Sequence, residues 1–327
     1  MLKIGVIGTG HLGKFHTKLL KEIENCQFAG IFDVDGERAK KIGEEFSVNV
    51  FTNLDEMFKA VDAVSVVTTT IAHYEIVKKA FDAGKHVIVE KPITATINEA
   101  EKLVEIANKN NLIFQVGHIE RFNPALLAVE KYNLEPLFIQ TDRLAQFNPR
   151  GTDVAVVLDL MIHDIDIILS LIKSKVKEVH ASGVAVASNN LDIANARIQF
   201  ENGAVANVTA SRISQKKMRK MRLFQKDAYF SLDFDSGVSE VFRLVPPQDI
   251  TGNDFISFGE LGVGEQKKVV LYQQPEHMQI NALQHELQLF VNCVNENKRP
   301  VVSGEDGLRA LRIAEMIIEK IEESKIV

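Results

Sequence analysis

Three side chains able to hold or move a proton recur at helical spacing within one short apolar stretch. Residues 157–166 read VLDLMIHDID, and they carry Asp159, His163 and Asp166. An α-helix turns about 100° per residue. Asp159 and His163 are four apart, and Asp159 and Asp166 seven apart, so a helix here sets all three on one narrow stripe. Leu158, Met161, Ile162, Ile165 and Leu169 cover the other faces. A buried charge is costly unless it is paired. Two readings stay open on this helix alone. One is an Asp–His pair satisfying itself in the core. The other is a base with its orienting carboxylate, lining a cleft. Asp164 points off the stripe, and no Cys or second His stands at ligand spacing, so a metal centre is not expected. His285-Glu286 lacks the downstream His of a zinc-protease helix.

The segment GVIGTGHLGKFH sets Gly8, Gly10 and Gly13 in a G-x-G-x-x-G spacing between a strand pattern and a helix pattern. Gly8 permits a tight turn, Gly10 lets the backbone approach a pyrophosphate, and Gly13 allows close helix–strand packing. Thr9, His11 and Leu12 complete the turn and open the helix, whose free N–H groups and dipole favour an anion. Asp33, twenty residues beyond Gly13, stands where a carboxylate accepts from the adenosine ribose hydroxyls. Val34 follows in place of an Arg, which favours NAD over NADP. The plainer reading is that Asp33 or Asp35 caps the next helix. Further on, HVIVEKPIT puts Glu90, Lys91 and Pro92 at the carboxyl end of a buried strand, where ligands of open α/β sheets bind. Pro92 confines the preceding residues to extended geometry. A surface Lys at a strand exit is the ordinary alternative. The cluster VGHIERFNPA supplies His118, Glu120, Arg121 and Asn123, groups able to read sugar hydroxyls or a phosphate. Asn123 before Pro124 is also a helix start.

Positioning these groups takes two kinds of element pattern. Over the first 120 residues, apolar runs at 3–7, 28–32, 63–67, 86–89 and 113–116 alternate with helical patterns near 11–23, 36–46, 73–83 and 96–109. That is a doubly wound parallel sheet covered on both faces, a Rossmann domain over residues 1–120. Beyond it the spacing predicts a helix at 123–132, a strand at 136–146, the helix at 155–172 and β-like runs at 176–187, 192–200, 204–212, 219–225, 228–233 and 238–244. These make a C-terminal α/β domain, 121–327, with an open, mostly antiparallel sheet. Residues 246–266, rich in Gly, Pro, Asp and Asn, read as a loop. Closing helices are expected at 278–296 and 305–323, the latter capped by Ser303 with Asp306 three residues on.

The bulk composition narrows the classes. The chain has 327 residues, 46% apolar and 25% charged, which is ordinary for a globular protein. A net charge of −6 leaves no electrostatic footprint for nucleic acid. Two distant cysteines, Cys26 and Cys293, fit a reducing compartment. The start goes directly into a strand pattern with no secretory segment. The most apolar stretch, 154–172, holds three Asp and a His, which opposes a membrane span. A cytoplasmic location is expected.

Gly8-Thr9-Gly10 after the first strand, EKP after a later one, and Asp159-x-x-x-His163 on a helix beyond it resemble the Gfo/Idh/MocA family of dehydrogenases, and the likeness runs over essentially the whole chain. The resemblance implies that Lys91 and His163 meet over the nicotinamide with Asp159 beside them, and that Glu90, Thr69 and His73 lie along the cofactor. It also implies a homodimer or homotetramer built through the C-terminal sheet. Within the family, GHIERFNPA together with TDVAVVLDLMIHDID is most similar to the members that oxidise C3 of UDP-N-acetylglucosamine for a partner aminotransferase. Here RGTDVAVV replaces the usual Gly-rich approach to the helix, making Arg150 and Asp153 candidate substrate contacts beside His118, Glu120, Arg121 and Asp166. Arg143, Arg150, Arg212 or the basic run 216–220 are candidates for the UDP phosphates, although the run reads more readily as a solvated sheet face. The alternatives are a dehydrogenase of a free sugar or inositol and a non-catalytic NAD-sensing regulator. A sensor has no need of both Lys91 and His163.

Overall fold

A computed structural model describes residues 1–148, 154–251, 255–276 and 279–324. The chain divides into two units, Met1–Ile119 with Asn281–Arg312, and Glu120–Ile280 with the residues from Ile313 onward.

The first unit holds a five-stranded parallel sheet in the order β2-β1-β3-β4-β5. Its strands are β1 (Leu2–Ile7), β2 (Cys26–Phe32), β3 (Ala63–Val66), β4 (His86–Glu90) and β5 (Phe114–Gly117). Between them run α1 (His11–Leu20), α2 (Gly36–Phe46), α3 (Leu54–Ala60), α4 (Thr70–Asp82) and α5 (Ile97–Lys109). β3 and β5 are buried along their whole length, as strands covered on both faces must be. Local chemistry sets the helix starts. Asp35 accepts from the Arg38 amide, Asn53 from the Glu56 amide, and Thr96 and Glu99 cap α5 reciprocally. The short α3 is absent from the sequence reading, because only Met57 and Phe58 of its seven residues are buried.

The second unit is built on a nine-stranded sheet in the order β13-β14-β12-β11-β10-β6-β9-β8-β7. Its strands are β6 (Phe138–Leu144), β7 (Val176–Val184), β8 (Ile193–Phe200), β9 (Val205–Ser211), β10 (Met218–Phe224), β11 (Ala228–Asp233), β12 (Val238–Val245), β13 (Ile256–Leu261) and β14 (Lys268–Gln273). All neighbours pair antiparallel except β6 and β9. Alternation along the strands buries one face through Ile139, Met221, Leu223, Phe230, Leu232 and Val241. The opposite face carries one aromatic from each of five adjacent strands, paired in register as Phe138, Phe224, Tyr229, Phe242 and Tyr272.

Three segments differ from expectation. The presumed loop 246–266 contains β13, whose six residues are all exposed and so carry no pattern of burial. The helix expected at 123–132 is only α6 (Pro124–Leu127), with Asn123 capping it. The helix expected at 155–172 is a π-helical turn, Val157–Met161, followed by α7 (Ile162–Leu171).

α8 (Ala282–Glu296) packs on α1 and β1. Its Leu287, Phe290 and Val291 enter one buried cluster with Ile4, Val6 and Ile31. Residues 281–312 therefore belong with the first unit, which corrects the expected division of 1–120 and 121–327. α9 (Gly304–Ser324) starts as its sequence predicts, with the Ser303 hydroxyl accepting from the Asp306 amide and the Asp306 carboxylate from the Ser303 amide.

Candidate active site

The turn after β1 has the form a dinucleotide needs. Gly8 takes φ +94°, and a Cβ there would lie 2.4 Å from the Val67 carbonyl oxygen. A Cβ on Gly13 would lie 1.9 Å from the Gly8 carbonyl oxygen, so α1 rests directly on the turn. Gly10 faces open space, and as the N-cap of α1 it offers no side chain to the first helical amides. His11 and Leu12 are exposed beside it. Bare backbone, open space and a helix N-terminus fit a pyrophosphate.

Asp33 completes this half. Its Oδ2 accepts from the Thr9 amide at 2.6 Å, the Thr9 hydroxyl at 2.8 Å and Arg38 Nε at 3.1 Å. Its Oδ1 accepts from the Asp35 amide and from Arg38 Nη2, each at 2.9 Å. Burial works to raise the carboxyl, but Arg38, the two amides and the hydroxyl outweigh it and hold the pKa at about 2. Capping of α2 falls to Asp35, so the capping alternative for Asp33 is removed. Arg38 is the neighbour that sequence reading overlooked. It lies one helical turn beyond the position checked for an Arg.

At the exit of β4, Lys91 is half-buried and joins Pro92 through a cis peptide bond. Glu90 does not open toward a ligand. Its Oε1 lies 3.1 Å from Nε2 of His16, a buried residue of α1 whose Nδ1 lies 2.8 Å from the Ser65 hydroxyl. Burial opposes ionisation of Glu90, and the His16 imidazole, with Lys91 and His73, outweighs it and keeps the carboxyl below its usual range. Thr69 is exposed at the N-cap of α4. His73 is 1% exposed, with Nδ1 3.0 Å from the Pro92 carbonyl oxygen and Nε2 3.3 Å from that of Thr68. Its expected cofactor contact is therefore replaced by a tie between two backbone turns. Burial pushes its pKa down against those carbonyls. His16 escaped the sequence reading, although a His among the buried positions of α1 was the available signal.

In the second unit, Asp159 lies in the π-helical turn and His163 in the first turn of α7, both half-buried. The other two carboxylates nearby are closed in. Asp164 forms a two-pronged pair with Arg143, Oδ2 to Nε at 2.9 Å and Oδ1 to Nη2 at 2.8 Å. Glu120 adds Oε1 to Arg143 Nη1 at 2.8 Å. Burial opposes the Arg143 charge, yet Asp164 and Glu120 outweigh it and keep the guanidinium protonated. Asp166 pairs with Arg121, Oδ2 to Nε at 2.6 Å and Oδ1 to Nη2 at 3.0 Å. The expected open stripe of Asp159, His163 and Asp166 is thus corrected. A π turn breaks the 100° step, and Asp166 is inward and neutralised. The polar cluster after β5 behaves likewise. Glu120 and His118 are buried; Glu120 is paired with Arg143 and Arg121 is clamped on Asp166, so these two carry ion pairs within the protein in place of open substrate contacts.

Two candidates for a phosphate are removed for the same reason. Arg143 is held as described. Arg212 donates to the carbonyls of Val154 at 2.5 Å and Leu191 at 3.2 Å. The basic run meets acids through Lys217–Asp235, Lys220–Asp233 and Arg219–Glu120. Arg150 and Asp153 lie outside the described residues. Among the described residues, no group of three or more His, Cys, Asp or Glu is placed to hold a metal ion, and no helix is long and apolar enough to cross a membrane.

A parallel sheet whose first turn suits a pyrophosphate, with a carboxylate ending the next strand, defines a Rossmann dinucleotide-binding protein. Comparison with known proteins agrees. Residues 2–118 match the oxidoreductase family with an NAD-binding Rossmann fold, and residues 136–231 match the GFO/IDH/MocA C-terminal domain. The UDP-N-acetylglucosamine 3-dehydrogenase of Acidithiobacillus ferrooxidans is 38% identical over 243 residues, 74% of this chain and 77% of that protein. A solved structure of that enzyme superposes with a TM-score of 0.88 at 32% identity, covering 98% of each chain. Myo-inositol 2-dehydrogenase of Thermotoga maritima is 26% identical, covering 100% of this chain and 98% of that one. The chain belongs to the Gfo/Idh/MocA family, and it is an NAD-binding oxidoreductase acting on CH–OH groups.

Proposed function

We propose that this protein oxidises the C3 hydroxyl of UDP-N-acetylglucosamine, or of a closely related nucleotide sugar, with NAD as acceptor. One observation carries the reading. On the segment 157–171, Asp164 and Asp166 are buried against arginines, whereas Asp159 and His163 are half-buried. The activity of the 38% identical relative supports the choice of substrate.

The nicotinamide, when bound, accepts a hydride. The protein's own groups handle the remainder. The carbinol carbon gives up hydrogen with two electrons, the hydroxyl gives up its proton, and a C=O bond forms. His163 and Lys91 share that proton, with Lys91 also polarising the oxygen on which charge develops. Asp159 sustains the charged imidazole. Gly8, Gly10, Gly13 and the α1 amides hold the pyrophosphate, and Asp33 receives the ribose. A second copy of the chain is the proposed partner, docked on the aromatic face of the nine-stranded sheet, and an aminotransferase that consumes the keto sugar is the proposed functional partner.

The test is NAD reduction with UDP-N-acetylglucosamine, UDP-glucose, myo-inositol and glucose, each with and without 2-oxoglutarate as a second oxidant. Turnover is expected with UDP-N-acetylglucosamine, and its loss with retained NADH binding in Lys91→Ala and His163→Ala. Turnover of myo-inositol with none of either nucleotide sugar transfers the assignment to the polyol branch.

A further inference from the structure

We propose that His16 is a positioning residue for the reaction: through Glu90 it fixes the strand exit that presents Lys91. The proposal rests on the reading above that Lys91 takes part in the chemistry.

His16 sits on α1, the helix whose N-terminus is shaped for the pyrophosphate, and is 1% exposed. Its two ring nitrogens reach two different strands, Nδ1 to the Ser65 hydroxyl of β3 at 2.8 Å and Nε2 to the Glu90 carboxylate of β4 at 3.1 Å. A third strand closes the other side. A Cβ added at Gly117 of β5 would lie 3.0 Å from Glu90 Oε1, so the carboxylate rests against bare backbone. Glu90 is therefore held between His16 of α1 and the backbone of β5, with Lys91 next in sequence.

The hydrogen bonding is consistent in either protonation state of the ring. Carboxylate oxygens only accept, so Nε2–H donates to Glu90. Nδ1 then accepts from the Ser65 hydroxyl in the neutral ring or donates to it in the charged one. The groups whose charge acts on Glu90 are His16, Lys91 and His73. A buried acid–imidazole pair is a poor source of stability, since apolar residues of similar volume serve as well or better. Its location makes it useful. It holds an ionised carboxylate at one place and in one rotamer immediately before the lysine. Without His16 the carboxylate has the Lys91 ammonium as its remaining cationic neighbour in sequence, and turning toward it would withdraw that ammonium from a substrate.

Lys91 can be followed without any sugar. Reductive methylation with formaldehyde and cyanoborohydride, read at Lys91 by peptide mass spectrometry across a pH series, reports how available its amine is. In His16→Leu the labelling midpoint is expected to move to higher pH by about half a unit or more as the freed carboxylate protects the ammonium. With sugar, kcat is expected to fall by roughly twentyfold while KM and NADH affinity stay within about threefold. His16→Gln, which restores an N–H for Glu90, is expected to recover part of both effects. Ser65→Ala, which removes only the second support of the ring, gives a smaller shift in the same direction and stands in should His16→Leu fail to fold. Unchanged labelling and kcat in His16→Leu overturn the proposal, as does an unchanged midpoint in Ser65→Ala when that variant stands alone. So does a parallel loss of NADH affinity, melting temperature and kcat that His16→Gln does not relieve. A wild-type protein that turns over no sugar refutes the functional reading instead, and the labelling shift still decides the role of His16.

Discussion

At the scale of single residues, buried imidazoles divide by what their nitrogens face. The Ile113 amide donates to Nδ1 of His86 at 2.9 Å, so that nitrogen is an acceptor and the ring is neutral when the bond is made. Burial pushes the His86 pKa below 6.5, with Asp62 opposing and Lys85 assisting, and burial lowers His73 as well. An unfolded chain therefore takes up a proton more readily than the native one. The stabilisation is full above about pH 6.5 and is lost as the pH falls through the lower native value. His86→Asn places an amide oxygen where Nδ1 stood and removes the titration. Between about pH 7.5 and 5.5 its melting temperature is expected to fall by less than that of the wild type. Equal slopes would remove His86 as a contributor. The dinucleotide turn and Asp33 were legible in sequence because their chemistry is local, within one strand–turn–helix unit. Asp166 was misread because its partner, Arg121, is 45 residues away, and no periodicity reveals a partner.

At the scale of elements, α7 is anchored to β6 by charge. Arg143 projects from the buried face of β6 and holds Asp164, with Glu120 alongside. Arg143→Met would leave two carboxylates in a dry interior, and removing one member of such a cluster costs about 3–5 kcal/mol. The double variant Arg143→Met/Asp164→Leu is expected to regain a good part of that loss in urea unfolding. A double variant as unstable as the single one would show that packing, not the stranded charge, sets the cost. Strand and helix order in the first unit was readable because buried parallel strands are short apolar runs between amphipathic helices. The π-helical turn was not, since stripe arithmetic assumes one step angle throughout. β13 was missed for a different reason: an edge strand exposed along its length carries no alternation.

At the scale of the whole molecule, the open face of the nine-stranded sheet is the proposed seat of a second copy. Phe138, Phe224, Tyr229, Phe242 and Tyr272 form a continuous row across β6, β10, β11, β12 and β14, in ring contact from strand to strand. Such a row, flanked by polar residues, is the usual core of a protein–protein interface. Sedimentation velocity of the wild type is expected to show a dimer or larger species, and Phe242→Glu to shift it toward monomer. A monomeric wild type would reject this face as an assembly surface. The grouping of α8 with the first unit was invisible in sequence, because its inward face looks like that of any amphipathic helix. Its placement also sets a timetable for biosynthesis. Phe290 and Val291 complete a cluster to which Ile4 and Val6 contribute, yet they are translated only after the whole of Glu120–Ile280. The segment Met1–Ile119 must wait, incompletely covered, while the intervening residues are made, so its packing is completed by residues synthesised well after it.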